Sequence, residues 1–155
     1  MSSRIREGDR APDFTLGTQD GRTVSLRDFL WKNHVVLYFY PKDFTAGCTT
    51  EARAFSANYE KLIGMGAEVI GVSSDPAESH AKFADECGAK FILVSDVEGR
   101  VRDLYGVHRS MGLIPGRVTF VIDREGIVRH VFSSQLNPKK HVEEAIDALN
   151  KIEAK

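Results

Sequence analysis

The sequence predicts an α/β fold in which buried strands alternate with helices, and three features point to it. The run HVVLYFY (34–40) is apolar almost throughout and rich in β-branched and aromatic residues. That is the pattern of a strand buried on both faces of a parallel sheet. A second run, AEVIGVS (67–73), reads the same way after a stretch with helical spacing. Farther on, RVTFVID (117–123) and IVRHVF (127–132) flank the turn REG, a hairpin signal.

The elements follow in chain order. DFTLGTQDGRTVSL (13–26) is expected as an extra hairpin ahead of the first buried strand. Residues 48–63 carry Ala52, Phe55, Tyr59, Leu62 and Ile63 on one broad face, which predicts a helix ended by Gly64 and Gly66. Asp75, Pro76 and Glu78 look like a helix start with a cap, a proline in the first turn and a capping-box acid. His80, Phe83, Ala84 and Cys87 then recur at helical spacing, and Gly88 supplies the stop. FILVS (91–95) is a short strand and 98–104 a short helix. Asn137 and Pro138 open a last helix with Val142, Ala145, Ile146, Leu149 and Ile152 on one face. With residues 89–116 set aside, the order is β-α-β-α-β-β-α. That is the order of the thioredoxin-like fold, here with an N-terminal β-hairpin extension and an insertion before the C-terminal hairpin.

Composition narrows the function classes. The 155 residues suit a single domain over 1–155, and 42% apolar with 28% charged residues is a globular composition. Lys plus Arg is 21 against 22 for Asp plus Glu, so no net charge draws the chain to nucleic acid or an anionic membrane. No run approaches the roughly 18 apolar residues of a membrane span. The start, MSSRIREGDRAPDF, has no apolar core of a secretory signal. The expected compartment is therefore cytoplasmic, where thiols stay reduced. Two cysteines there are no structural disulfide framework, and any pairing would belong to a redox cycle. The histidines (His34, His80, His108, His130 and His141) form no HxxxH pair and meet no CxxC, so no zinc site is expected. There is no Walker loop and no dinucleotide fingerprint. Lys139 and Lys140 read as part of a solvated helix face.

The stretch PKDFTAGCTTEAR (41–53) carries the chemistry. Cys48 falls where a strand hands over to a helix. Unpaired N–H groups and the positive dipole end favour an anion at that place, which lowers a thiol's pKa and yields the reactive thiolate. Thr45 is a candidate helix cap whose hydroxyl could also face a ligand beside the sulfur. Pro41 sets the chain direction as it leaves the strand, and Gly47 would let backbone N–H groups approach a small polar substrate. From the residues alone, three readings of Cys48 stay open: a small buried hydrophobe, half of a redox pair, or a nucleophile.

The spacing Pro41-x-x-x-Thr45-x-x-Cys48 resembles the active-site motif of the peroxiredoxins. The longer string YFYPKDFTAGCTTEA (38–52) resembles their bacterioferritin-comigratory-protein (PrxQ) subfamily, and the likeness runs from APDFTL through GRVTFVIDREG to the last helix. The resemblance implies a thiol peroxidase that uses no metal, haem, flavin or other cofactor. Cys48 would attack the O–O bond of hydrogen peroxide or an organic hydroperoxide and become a sulfenic acid. Thr45 would orient the peroxide, Pro41 would shield the sulfur from water, Arg117 would stabilise the thiolate and the developing charge, and Glu51 would hold Arg117. Many members carry the resolving cysteine five residues after the first. Here that position is Arg53, and the resemblance to a variant subgroup passes the resolving role to Cys87. A disulfide between Cys48 and Cys87 would require both helix ends to unwind. If Cys87 is instead core, an external thiol must resolve Cys48. Ala46 stands where the family usually has proline, which would loosen the loop. The implied partners are a hydroperoxide and thioredoxin or a similar dithiol, with neither nucleic acid nor membrane, and the implied state is a monomer or weak dimer. Two other readings compete. A thiol–disulfide oxidoreductase would need a CxxC, which is missing, and a non-catalytic binding module would need no activated Cys48.

Overall fold

The computed structural model describes residues 5–107, 109–110, 114–115, 117–134 and 137–153. Its N-terminal part forms β1 (Thr15–Thr18), β2 (Thr23–Ser25) and a 3-10 turn (Leu26–Phe29). The first buried run becomes β3 (His34–Phe39), followed by α1 (Ala46–Ala57), α2 (Tyr59–Gly64), β4 (Ala67–Ser73) and α3 (Ala77–Cys87). Then come β5 (Ile92–Ser95), α4 (Arg100–Leu104) and the short pair β6 (Arg109–Ser110) and β7 (Ile114–Pro115). The chain closes with β8 (Val118–Ile122), β9 (Val128–Ser133) and α5 (Pro138–Glu153).

Seven strands build one sheet in the order β2-β1-β5-β4-β3-β8-β9. β3, β4 and β5 are parallel, as their buried apolar runs require, and β8 and β9 join as an antiparallel hairpin. The four strands β4-β3-β8-β9 are the thioredoxin-like core. The expected N-terminal hairpin forms, and β1 also pairs with β5. The segment treated as an insertion therefore supplies an interior strand of the sheet as well as α4. His108 and residues 111–113 and 116 of that segment lie outside the described residues.

Strand β3 sits at the centre and alternates its side chains between two cores. Val36, Tyr38 and Tyr40 face a layer that includes Phe55, Leu62, Phe83 and Leu149 from the helices. Val35, Leu37 and Phe39 face Phe14, Leu26, Val101 and Tyr105. Each such side chain, fully removed from water, contributes roughly 1.5–3 kcal/mol. Cys48 and Cys87 both belong to the first core.

Two helix boundaries differ from the expectation. The single helix over 48–63 is two, because Asn58 turns its amide back to donate to the Ala54 carbonyl at 2.8 Å and leaves helical geometry. Asp75 does not cap α3. Its Oδ2 instead accepts from the Asp43 backbone N–H and the Ser73 hydroxyl, and α3 starts at Ala77 with Pro76 in the capping position. Among the described residues, no helix is long and apolar enough to cross a membrane.

Candidate active site

The site forms where β3 ends on the central sheet and the chain enters α1. Thr45 takes the capping position in extended geometry, but its side chain makes no cap hydrogen bond. Its hydroxyl donates to the Lys42 carbonyl at 2.8 Å, which leaves the oxygen's lone pairs available. The first-turn N–H groups stay open for an anion. Cys48 is the third residue of α1 and is 1% exposed. Pro41 is half-buried and Thr45 exposed on the approach to it.

Arg117, just ahead of β8 and 5% exposed, joins these parts. Its Nη2 donates to the Cys48 sulfur at 3.4 Å and its Nη1 to Glu51 Oε1 at 2.6 Å. Burial works against its charge, but Glu51 and Cys48 more than offset this and raise its pKa above the ordinary value. Glu51 is fully buried. Burial pushes its carboxyl up to about 8 against the opposing pull of Arg117. The short contact sets this carboxyl group against a permanent cation, in surroundings where its ionised form is costly. Gly47 has a steric role that the sequence did not indicate. A Cβ there would stand 2.9 Å from Arg117 Nη2, so the glycine makes room for the guanidinium.

Behind Glu51 lies a side chain whose partnership the sequence did not reveal. His141 of α5 is completely buried, with Nδ1 at 3.6 Å from Glu51 Oε2. Its Nε2 faces the Ser134 carbonyl at 2.8 Å and its Nδ1 the Thr119 hydroxyl at 2.7 Å. The carbonyl can only accept, so Nε2 donates and Nδ1 accepts from Thr119. Burial, helped by Arg117, lowers the imidazole's pKa to about 4.

Cys87 is the last residue of α3, 7% exposed, and Gly88 ends the helix in left-handed geometry (φ 66°). Both cysteines are free thiols. Burial raises the Cys87 pKa, and Arg53 pulls the other way through its charge and a hydrogen bond to the thiol. Arg53 also donates to the Glu86 carbonyl at 3.4 Å, bridging α1 to the end of α3.

A second buried cluster lies on the other side of the loop. Ligand-type atoms of Asp43, Asp75 and His80 fall within 4.8 Å of one another. They are engaged in hydrogen bonds with one another's residues and with Tyr40, Ser73, Ser79 and Val94. The only hint in the sequence was a histidine on an otherwise apolar helix face.

Comparison with known proteins agrees with this geometry. The AhpC/TSA family model matches residues 7–131. A chloroplastic peroxiredoxin Q of Triticum aestivum is 45% identical over 98% of this chain and 70% of its own length. The crystal structure of the peroxidoxin BcpB of Mycobacterium tuberculosis superposes with a TM-score of 0.89 at 36% identity, covering 96% of this chain and 99% of that one. A bacterioferritin comigratory protein of Xanthomonas campestris, described for alkyl peroxide reduction, gives 0.84 at 30% identity over 99% and 100% of the two chains. The chain therefore belongs to the AhpC/TSA family, as a peroxiredoxin of the Q type and a thiol-dependent peroxidase.

Proposed function

We propose that Cys48 reduces hydrogen peroxide and organic hydroperoxides, that Cys87 resolves the product within the same chain, and that thioredoxin or a similar dithiol protein restores both thiols. The observation that carries this reading is the guanidinium bridge from the Cys48 sulfur at 3.4 Å to buried Glu51 at 2.6 Å. The Cys48 thiolate attacks one peroxide oxygen. An S–O bond forms, the O–O bond breaks, and the departing alkoxide or hydroxide takes up a proton. Arg117 faces the sulfur and the charge that develops beside it. Glu51 keeps Arg117 in place. Thr45 accepts a hydrogen bond from the peroxide, and Pro41 limits water at the sulfur.

In the second step the Cys87 sulfur attacks the Cys48 sulfenic sulfur. An S–S bond replaces the S–OH bond, and the hydroxide leaves as water with the Cys87 proton. Both thiols are buried at helix ends, so this step requires those ends to unwind locally, next to Gly88 in α3 and the exposed Thr45 and Ala46 ahead of Cys48 in α1. The reading is supported by the placement of both thiols in one core. Organic hydroperoxides are included because the Xanthomonas relative is described for alkyl peroxide reduction.

Intact mass and peptide mapping after one equivalent of hydrogen peroxide test this pathway, on wild type and Cys87→Ser. The expected wild-type result is loss of two hydrogens with a Cys48–Cys87 cross-linked peptide, reversed by reduced thioredoxin. An oxidised Cys48 without a cross-link, unchanged by Cys87→Ser, would instead mean an external resolving thiol.

A further inference from the structure

Asp43 lies midway between Pro41 and Thr45 and is buried, while Lys42 and Phe44 on either side are exposed. Every polar atom of its carboxylate is held. The Tyr40 hydroxyl donates to Oδ1 at 2.6 Å, and the Ser79 hydroxyl donates to Oδ2 at 2.8 Å. His80 Nδ1 lies 2.8 Å from the same Oδ2, and the Asp43 N–H donates to Asp75 Oδ2 at 2.8 Å. The other ring nitrogen of His80 lies 3.0 Å from the Val94 carbonyl. Each imidazole nitrogen thus faces an oxygen, and Nδ1 also lies 3.3 Å from the Tyr40 hydroxyl. The His80–Asp43 contact is enclosed, with side chains 0% and 1% exposed.

A buried pair of this kind is weak evidence for stability, because desolvation offsets most of its attraction. The adjoining backbone suggests another use. Phe44 adopts φ +66°, a left-handed conformation unfavourable for an aromatic residue. Such strain persists only where the surroundings over-determine it. The Asp43 contacts fix one side of Phe44. On the other, its ring lies edge-on to Phe83 of α3, with centroids 5.3 Å apart. The chain then delivers Thr45 in extended geometry beside the first turn of α1.

We propose that His80 is a positioning residue for the peroxidase reaction: through Asp43 it holds the 43–45 loop in the strained form that presents the Thr45 hydroxyl to a peroxide beside Cys48. This rests on the reading of Cys48 as the attacking thiol and Thr45 as the peroxide acceptor. The pair acts by direction. A carboxylate pinned by three side chains, on a residue whose own N–H is held by Asp75, can counter the loop's tendency to relax at Phe44, whereas an apolar contact of equal area could slide.

The test compares two rates in a Cys87→Ser background, oxidation of Cys48 by hydrogen peroxide and its alkylation by iodoacetamide. His80→Asn keeps a donor for Asp43, while His80→Gln keeps one for the Val94 carbonyl instead. The peroxide rate is expected to fall about 10–100-fold in His80→Gln, the cost of a small misplacement. The alkylation rate should stay near its starting value, and His80→Asn should recover most of the loss. An unchanged peroxide rate in His80→Gln, or equal proportional falls in both rates, overturns the proposal. A parent protein whose Cys48 does not react with peroxide overturns the peroxidase reading and this proposal with it. Nitrogen NMR of the wild-type imidazole decides independently of whether the variants fold. Two protonated ring nitrogens support the pair, and one bare nitrogen contradicts it.

Discussion

Gly47 keeps open the space that Arg117 occupies. Because Arg117 is also tied to Glu51, it cannot step aside freely from a new Cβ at 2.9 Å. Gly47→Ala is expected to lower the rate of Cys48 with hydrogen peroxide about tenfold or more. Stopped-flow oxidation measures this, and an unchanged rate would show that the contact with Nη2 is dispensable. His141 sets a pH dependence of stability. Its folded pKa of about 4 lies below the ordinary 6.5, so the unfolded chain binds the proton more tightly. Stability from this group is fully present above pH 6.5 and is lost as pH falls toward 4, by about 3 kcal/mol. Glu51 has the opposite sense. Its folded pKa is raised to about 8, so its contribution declines as pH rises from 4.5 to 8. Urea denaturation across pH 4–9 should give a flatter acid limb in His141→Gln and a flatter alkaline limb in Glu51→Gln. At this scale the meeting of Cys48, Glu51 and Arg117 was legible because these residues stand in recognisable strings. His141 was not, because its meeting with Glu51 depends on how α5 packs across the sheet, which no local spacing encodes.

The helices carry the next set of consequences. Ala46 is the first residue of α1, and Thr45 before it is already extended. Both conditions suit proline, whose fixed φ belongs at a first helical position. Ala46→Pro should stabilise the protein by about 0.4–1 kcal/mol through the unfolded chain, read as a shift in urea midpoint without a change in slope. The same tether should slow the proposed disulfide formation, since that step would require this turn to unwind. Arg53 links α1 to the end of α3. Burial already raises the Cys87 pKa, and Arg53 opposes that rise. Arg53→Ala should raise it further, leave less thiolate at neutral pH and slow disulfide formation about two- to tenfold. Rapid-quench mass analysis would show the Cys48 sulfenic acid persisting and more of it passing to sulfinic acid. An unchanged resolution rate would separate Arg53 from the chemistry. The strands and helices were legible from apolar period. The break at Asn58 and the start of α3 were not, because side chains there bond to the backbone in ways that periodicity does not register.

Across the whole molecule, the sheet turns one central strand into the support for the Cys48 thiol. Alternation along β3 sends Tyr38 and Tyr40 into the core that holds both cysteines. The antiparallel β8 then brings Arg117 back to the same end of β3 through the pairing of Val118 with Phe39. The parallel units and the C-terminal hairpin could be read in advance, since buried runs and a turn specify them. The place of β5 inside the sheet could not, because strand order depends on which edges pair. The central claim is that this framework makes Cys48 a peroxide-reducing thiol. The most direct test is trapping with a dimedone-type reagent in Cys87→Ser protein after one equivalent of hydrogen peroxide, with site mapping by mass spectrometry. The account predicts near-stoichiometric label on the Cys48 peptide and none in the Cys48→Ser,Cys87→Ser double variant. Absence of label, with Cys48 still a free thiol, would contradict it.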